Sequence, residues 1–164
     1  MGTCSRILLL GVLTLLPPLG PGLVAQSQAS RYVNPATLVR PNGYTHVVVA
    51  PDGRTVYVAG QVAFDSTGQL IGAGDFQAQA DRVYQNLGRA LAAVGGSLQD
   101  VVKTTTYITD LRNLPALRDV RARYSRSGSP PANTLLVVAG LARPELMIEV
   151  EAVAVLAQSV RLAQ

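Results

Sequence analysis

The chain has 164 residues, 48% of them hydrophobic and 15% charged, so it is long enough for one globular domain with a sizeable core. Its 14 basic and 10 acidic residues give a net charge of +4, and the basic residues are scattered instead of forming the stripe of a nucleic-acid surface. Four arginines are grouped, and their helical spacing is typical of a solvated helix face: Arg118, Arg121, Arg123 and Arg126. One histidine and one cysteine exclude the usual nitrogen and sulfur ligand sets of a metal site.

The N-terminus has the pattern of a secretory signal. A short basic segment precedes the apolar run 7–16, which is too short to cross a membrane because a span needs about 20 apolar residues. Ser27 and Ala29 fit the small-residue positions of a signal-peptidase site. The sequence therefore predicts a signal peptide over 1–29, a domain over 30–164, and a secreted or periplasmic protein without a stable membrane anchor. An apolar N-terminal helix or a retained anchor is the alternative.

Two β-branched runs open the domain. Residues 46–50 and 55–62 are separated by a turn containing Asp52 and Gly53, which predicts a β-hairpin.

A long amphipathic helix follows. Asp75 has the position of an N-cap, and Gly95 and Gly96 have the position of a C-terminal stop. Apolar residues recur at helical spacing on the side predicted to face the core: Phe76, Ala80, Val83, Leu87, Leu91 and Val94. The polar side carries Gln79, Asp81, Arg82 and Arg89.

The second half of the domain repeats the alternation of strand and helix. Residues 100–110 read as a strand, and a helix starts near Pro115 and ends by Gly128. Two strands follow, at about 133–139 and 146–156. The order ββαβαββ predicts an α+β domain with a mixed sheet and two helices on one face. The last strands are more apolar than one covered face requires, so we expect another subunit on the second face.

Three segments resemble the RidA family, also called YjgF. These are VYVAGQVAFDSTGQL, VVKTTTYITDL and MIEVEAVAV, and the similarity spans roughly residues 42–156. The resemblance implies a chorismate-mutase-like fold and a homotrimeric barrel with ligand clefts between subunits. Its best-known members hydrolyse enamines and imines to 2-oxo acids and ammonia, without cofactor or metal.

One position departs from the deaminating members. In those proteins the penultimate strand opens with a proline, a small residue and an arginine that clamps the substrate carboxylate. The matching run here is 131–134, with Asn133 at the arginine position. A planar guanidinium pairs bidentately with a carboxylate, and a neutral amide cannot make that charged fork. Ordinary 2-imino acids should therefore bind poorly.

The other cleft positions implied by the resemblance are mixed. Tyr44 matches the family tyrosine, and His46 stands where glutamine is common. Ala59 replaces a frequent serine, although the backbone amide of Gly60 can still donate to a ligand. Leu135 stands where cysteine is common.

Arg121 and His46 are candidates to replace the missing cation. Arg121 lies on the second helix, where the family often has asparagine near the cleft, and its long side chain can reach a ligand carboxylate. A solvated arginine packed along its stem and a structural histidine are the competing interpretations.

Glu149 and Glu151 interrupt the apolar last strand and project to the same face. Glu149 matches the family glutamate that activates the attacking water, and a partly desolvated carboxylate there can relay a proton. Both glutamates are also open to a structural role, paired with arginines or at a solvated edge. We assign that structural role to Glu151.

Two functions from different classes remain. The first is a protein that binds a small metabolite in the clefts between subunits and diverges from the standard deaminases. The second is an enamine or imine deaminase that uses Glu149 and a bound water. No cofactor is expected, since the resemblance implies a reaction that needs none. No nucleic-acid partner is expected, since no nucleic-acid-binding motif and no RNA-cleaving group of residues is recognisable.

Overall fold

The computed structural model describes residues 29–125 and 128–157, together with Met1. Nearly all of the predicted signal segment lies outside the described residues. Within the described part, no helix is long and apolar enough to cross a membrane.

The described chain folds into a mixed α+β structure, as predicted. Its strands are β1 (Arg31–Val33), β2 (Val47–Val49), β3 (Gly53–Gln61), β4 (Val101–Ile108), β5 (Ala132–Val137) and β6 (Ile148–Ala157); its helices are α1 (Phe76–Ala92) and α2 (Leu114–Tyr124). The main sheet has the order β3-β6-β4-β5. In it β6 runs antiparallel to β3 and β4, and β5 runs parallel to β4.

The predicted hairpin between residues 46–50 and 55–62 is wrong. β2 pairs with β1 in a separate two-stranded sheet, whereas β3 pairs with β6. Gly53 belongs to β3 itself, and a Cβ atom there would lie 2.4 Å from the carbonyl oxygen of Leu156. The glycine therefore permits close approach to β6, and the short β1 adds one strand to the predicted order.

Helix α1 begins as predicted, because the side chain of Asp75 accepts a hydrogen bond of 3.0 Å from the amide of Ala78. The helix ends at Ala92, and Gly95 has a φ of 80°, in the left-handed region that favours glycine. Val94 is 41% exposed, contrary to prediction, since it lies beyond the last helical turn.

Gln79 is fully buried, so its assignment to the polar side of α1 is wrong. Its side-chain nitrogen donates to the carbonyl oxygens of Gly72 and Glu145, and its oxygen accepts from the amide of Met147 at 2.9 Å. The side chain thus joins the helix to two loops, which satisfies polar groups that burial would otherwise leave unpaired.

The core lies between the helices and one face of the main sheet. Alternate residues of β6 are buried there, including Ile148 and Val150, together with Leu87 of α1 and with Leu117 and Val120 of α2. The two helices therefore pack on one face, as predicted.

The other face of the sheet remains uncovered in a single copy of the chain. Tyr57 is 81% exposed, and Leu136 is 40% exposed. Covering by a second subunit stays a prediction.

Candidate functional site

The main sheet separates the predicted site residues onto its two faces. Asn133 is in register with Thr104, whereas Glu149 is in register with Tyr107, three positions along the same strand. Because side chains alternate along a strand, Asn133 and Glu149 point to opposite faces. One copy of the chain therefore does not bring them together.

Asn133 forms a hydrogen-bond network on the face covered by the helices. Its side-chain nitrogen donates to the hydroxyl oxygens of Thr104 at 2.8 Å and Thr106 at 3.1 Å. Its Oδ1 accepts from Nη1 of Arg121 at 3.3 Å. Both ends of the amide are thus engaged within the protein. The two threonines were not among the predicted site residues, although their alternate spacing on β4 places them on one face.

Arg121 is only 7% exposed, so its assignment to a solvated helix face is wrong. The cation that position 133 lacks is therefore present on the adjacent helix, in contact with Asn133. Among the described residues, the ion pairs join Arg112 to Asp110, Arg123 to Asp81 and Arg143 to Glu145, and none includes Arg121. The spacing of the four arginines predicted solvent, whereas the buried residues of α2 are Leu117, Val120 and Arg121.

The segment that contains Tyr44 docks on the start of β5. The amide of Thr45 donates to the carbonyl of Pro131 at 3.2 Å, and its hydroxyl donates to the carbonyl of Pro130 at 2.6 Å. Gly43 has a φ of 75°, and a Cβ atom there would lie 2.9 Å from Nη2 of Arg121. The segment next to Tyr44 therefore lies over the guanidinium.

His46 makes local contacts. Its Nε2 lies 2.8 Å from the carbonyl oxygen of Val39, and its ring packs edge-on against Tyr44 with ring centres 5.2 Å apart. Its backbone amide donates to Asn34. Within the described residues His46 does not contact Asn133, and it positions the Tyr44 ring.

Glu149 lies on the open face beside an irregularity in β3. Val58 pairs with Ala152 and Gln61 with Val150, so Ala59 and Gly60 occupy a bulge. A Cβ atom at Gly60 would lie 1.8 Å from Oε1 of Glu149. The predicted residues Ala59, Gly60 and Glu149 are therefore neighbours.

The Tyr107 hydroxyl interacts with the charges of both glutamates. Its hydroxyl lies 3.5 Å from Oε1 of Glu151, to which it donates. Burial, followed by the charges of Glu151 and Glu149, raises the pKa of the Tyr107 hydroxyl. No described ion pair includes either glutamate, so the interpretation of Glu151 as an arginine partner finds no support.

The open face also has a cavity of about 400 Å³. It is lined by Tyr57, Ala59, Lys103, Thr105 and Glu151 among others. Lys103, the one lysine of the chain, donates through Nζ to the hydroxyl of Thr134. Sequence reasoning missed Tyr107 and Lys103, although they alternate along a β-branched strand.

Leu135 is half-buried and packs against the core. In the part of the chain that is described, no group of three or more His, Cys, Asp or Glu side chains is arranged to hold a metal ion.

Comparison with known proteins identifies relatives of similar size. Residues 36–156 match the family described as Endoribonuclease L-PSP. Protein DfrA of Myxococcus xanthus is 35% identical over 112 residues, which cover 68% of this chain and 84% of that protein. A 2-iminobutanoate/2-iminopropanoate deaminase of Mus musculus is 38% identical over 103 residues, covering 62% of this chain and 74% of the relative.

Solved structures agree with the fold. The Rid family protein YyfB from Yersinia pestis, of unknown function, has a TM-score of 0.73 and 39% identity, with 79% of this chain and 100% of that chain covered. TdcF of E. coli with bound serine has a TM-score of 0.58 and 28% identity, with 63% and 81% covered. The predicted family is confirmed: the chain belongs to the Endoribonuclease L-PSP family, the RidA or YjgF family of small α+β proteins.

Proposed function

We propose that this protein binds a small metabolite in clefts between copies of the chain, as a homotrimer, and that it diverges from the standard 2-imino acid deaminases. The observation that carries the proposal is the placement of Asn133 and Glu149 on opposite faces of one sheet. A cleft bordered by both residues needs the covered face of one copy and the open face of another. The exposed Tyr57 and Leu136 are apolar surface that such contact would bury.

The engagement of Asn133 supports divergence. Its amide is held by Thr104, Thr106 and Arg121, so it has no free donor pair for a ligand carboxylate. Even with its donors free, a neutral amide would bind a carboxylate more weakly than a guanidinium does. The position that grips the substrate in deaminating relatives has here become part of the protein's own network.

Deamination is the second candidate function, and the mouse relative named for it and the contact between Glu149 and Gly60 favour it. In that reaction a water adds to the imine carbon and its protons pass to the nitrogen. The C–N bond then breaks, leaving a 2-oxo acid and ammonia. Glu149 would take a proton from the water and return it to the nitrogen, and the Gly60 amide would donate to the substrate.

One experiment separates the two functions. The protein is incubated with an amino-acid oxidase and several amino acids, and decay of the 2-imino acid is followed by trapping with semicarbazide. Binding without deamination predicts no acceleration, together with a thermal shift produced by small metabolites. Acceleration that disappears in Glu149→Gln but persists in Glu145→Gln would establish deamination instead. Glu145 is the control because it is a half-buried glutamate whose ion pair is with Arg143.

The assembly and the compartment are tested separately. Sedimentation of the protein, whose chain mass is 17.2 kDa, should give three chains per particle. Expression of the full chain in a Gram-negative bacterium should place the protein in the periplasmic fraction, with its N-terminus near residue 30. A monomer, or a full-length cytoplasmic product, would contradict the corresponding part of the proposal.

A further inference from the structure

We infer that Arg121 is the anion anchor of the cleft: its guanidinium binds the carboxylate of a small monocarboxylic ligand, in place of the strand arginine that position 133 lacks. The inference rests on the proposed small-molecule binding and names the ligand class. Binding of the carboxylate would have moved from the start of β5 to the adjacent helix α2.

The first observation is a buried charge without a balancing acid. Arg121 is only 7% exposed, and no carboxylate of the described residues lies within ion-pair distance of it. Among the described residues, its side chain donates one hydrogen bond, of 3.3 Å, to Oδ1 of Asn133. A guanidinium has five N–H donors. Buried charges are normally paired, so this one lacks the acid that burial calls for.

The geometry of the neighbouring amide indicates which donors remain free. Thr104 and Thr106 hold the nitrogen of Asn133, and this turns Oδ1 toward Nη1 of Arg121. In the described part of the chain, no acceptor lies against the Nε and Nη2 side of the planar group, and a carboxylate matches that pair of donors bidentately. Asn133 is therefore a positioning residue that acts through Arg121.

The cover over the guanidinium is thin. Gly43 is exposed, has a φ of 75° and approaches Nη2, where a Cβ atom would lie only 2.9 Å away. Asn133 is half-buried. Because Gly43 has no side chain, only its backbone separates the free donors of Arg121 from the surface, next to Tyr44.

A second polar group nearby is also unpartnered. The Tyr84 hydroxyl is buried and has no hydrogen-bond partner among residues 29–125 and 128–157, and Tyr84 is 4% exposed. Burial raises the pKa of Tyr84 to about 12, and the charge of Arg121 opposes that rise. The charge of Arg121 thus acts on the Tyr84 hydroxyl within the domain, which is expected of a cation with little solvent around it.

The test compares a carboxylate with a neutral ligand of the same shape. Binding of 2-oxobutanoate and 2-oxobutanamide is measured by calorimetry for the wild-type protein, for Arg121→Met and for Arg118→Met. The Arg118 variant is the matched control, because Arg118 lies on the same helix and is exposed. Thermal unfolding of each ligand-free protein, and sedimentation, are recorded alongside.

The wild-type protein should bind the carboxylate at least tenfold more tightly than the amide, and Arg121→Met should weaken carboxylate binding by roughly 10- to 100-fold without affecting the amide. The Arg118 variant should behave as wild type. The ligand-free Arg121→Met protein should melt at the same temperature or higher, because an unpaired buried charge has been replaced by an apolar side chain.

Other outcomes overturn the inference in distinguishable ways. Equal binding of carboxylate and amide, or a preference that survives in Arg121→Met, would show that Arg121 is not the anchor while small-molecule binding stands. A ligand-free Arg121→Met protein that melts lower or dissociates would show that the arginine is structural, paired with a group of a neighbouring copy. No binding of either ligand by wild type would overturn the inferred ligand class, whereas the proposed function would fall only if no small metabolite shifted the melting temperature.

Discussion

Glu149 and Gly60 are in direct contact across the open face: a Cβ atom at Gly60 would lie 1.8 Å from Oε1 of Glu149 and 2.7 Å from its Cδ. The location of this carboxylate therefore depends on a residue that has no side chain. In either proposed function, Gly60 determines where Glu149 meets a ligand.

Gly60→Ala should displace the Glu149 carboxylate at a cost of about 1 kcal/mol, because the new methyl group would overlap the carboxylate and the glutamate side chain must move. In a Glu149→Ala background the same change should cost nothing or stabilise by about 0.5 kcal/mol, through the reduced entropy of the unfolded chain. Urea unfolding of the two single variants and the double variant measures this coupling. Gly88→Ala is the control, since its new Cβ would meet its nearest neighbour, a side-chain atom of Leu98, at 3.8 Å. Additive effects at positions 60 and 149 would refute the contact.

Asn133→Asp should place a permanent carboxylate against Arg121. We expect the free energy of unfolding to rise by about 1 to 2 kcal/mol, because a charged acceptor replaces a neutral one and the hydroxyls of Thr104 and Thr106 can turn to donate. Stabilisation by 2-oxobutanoate should disappear at the same time. Thermal shift assays with and without the ligand measure both effects. A destabilised variant that still binds the carboxylate would contradict the prediction.

Gln79→Leu should be strongly destabilising. It removes the partners of the carbonyl groups of Gly72 and Glu145 and of the amide of Met147, so we expect a loss of roughly 2 to 4 kcal/mol. Gln77→Leu, on the exposed side of the same helix, should change stability by no more than about 0.5 kcal/mol. Urea unfolding of both variants measures the two free energies of unfolding. Equal effects would show that the hydrogen bonds of Gln79 are dispensable.

Tyr84→Phe should stabilise the protein by about 1 kcal/mol or leave it unchanged, since the buried hydroxyl has no partner to lose. Burial raises the pKa of Tyr84 from 10.0 to about 12. The folded state therefore holds this proton more tightly than the unfolded state does. The resulting contribution to the free energy of unfolding is fully present below pH 10 and is lost as the pH rises through about 12.

Unfolding free energies measured above pH 10 should consequently fall less steeply in Tyr84→Phe than in wild type. Tyr57→Phe is the control, because Tyr57 is 81% exposed. If the exposed variant altered the slope as much as Tyr84→Phe, the assignment to Tyr84 would fail.

Much of the fold was predictable because its signals are local. Asp75 caps α1 by accepting a hydrogen bond from the amide of Ala78, three residues along the chain. The apolar spacing from Phe76 to Leu91 correctly identified the buried side of the helix. The pairing of β2 was not predictable from the Asp-Gly turn, because β6 is the longer partner for β3 and Gly53 was needed to approach Leu156.

The candidate site divides in the same way. Strand alternation alone placed Glu149 and Glu151 on one face, and motif resemblance proposed Asn133, Tyr44 and Gly60 as cleft residues, which stays a prediction. The burial of Arg121 and Gln79 was missed, since polar side chains carry a strong expectation of solvent. Both exceptions depend on acceptors distant in the chain, such as Asn133 for Arg121.

The amino-acid sequence by itself determined the order of most elements and the shared face of Glu149 and Glu151, because these follow from residue periodicity and from neighbouring residues. It determined the family through the resemblance of three segments to RidA proteins. Only the tertiary structure decided that Arg121 of α2 lies against Asn133 and that the side chains of Asn133 and Glu149 lie on opposite faces of the sheet. Those relationships depend on which strands pair and which helix covers which face, and the core packing of the whole chain sets both.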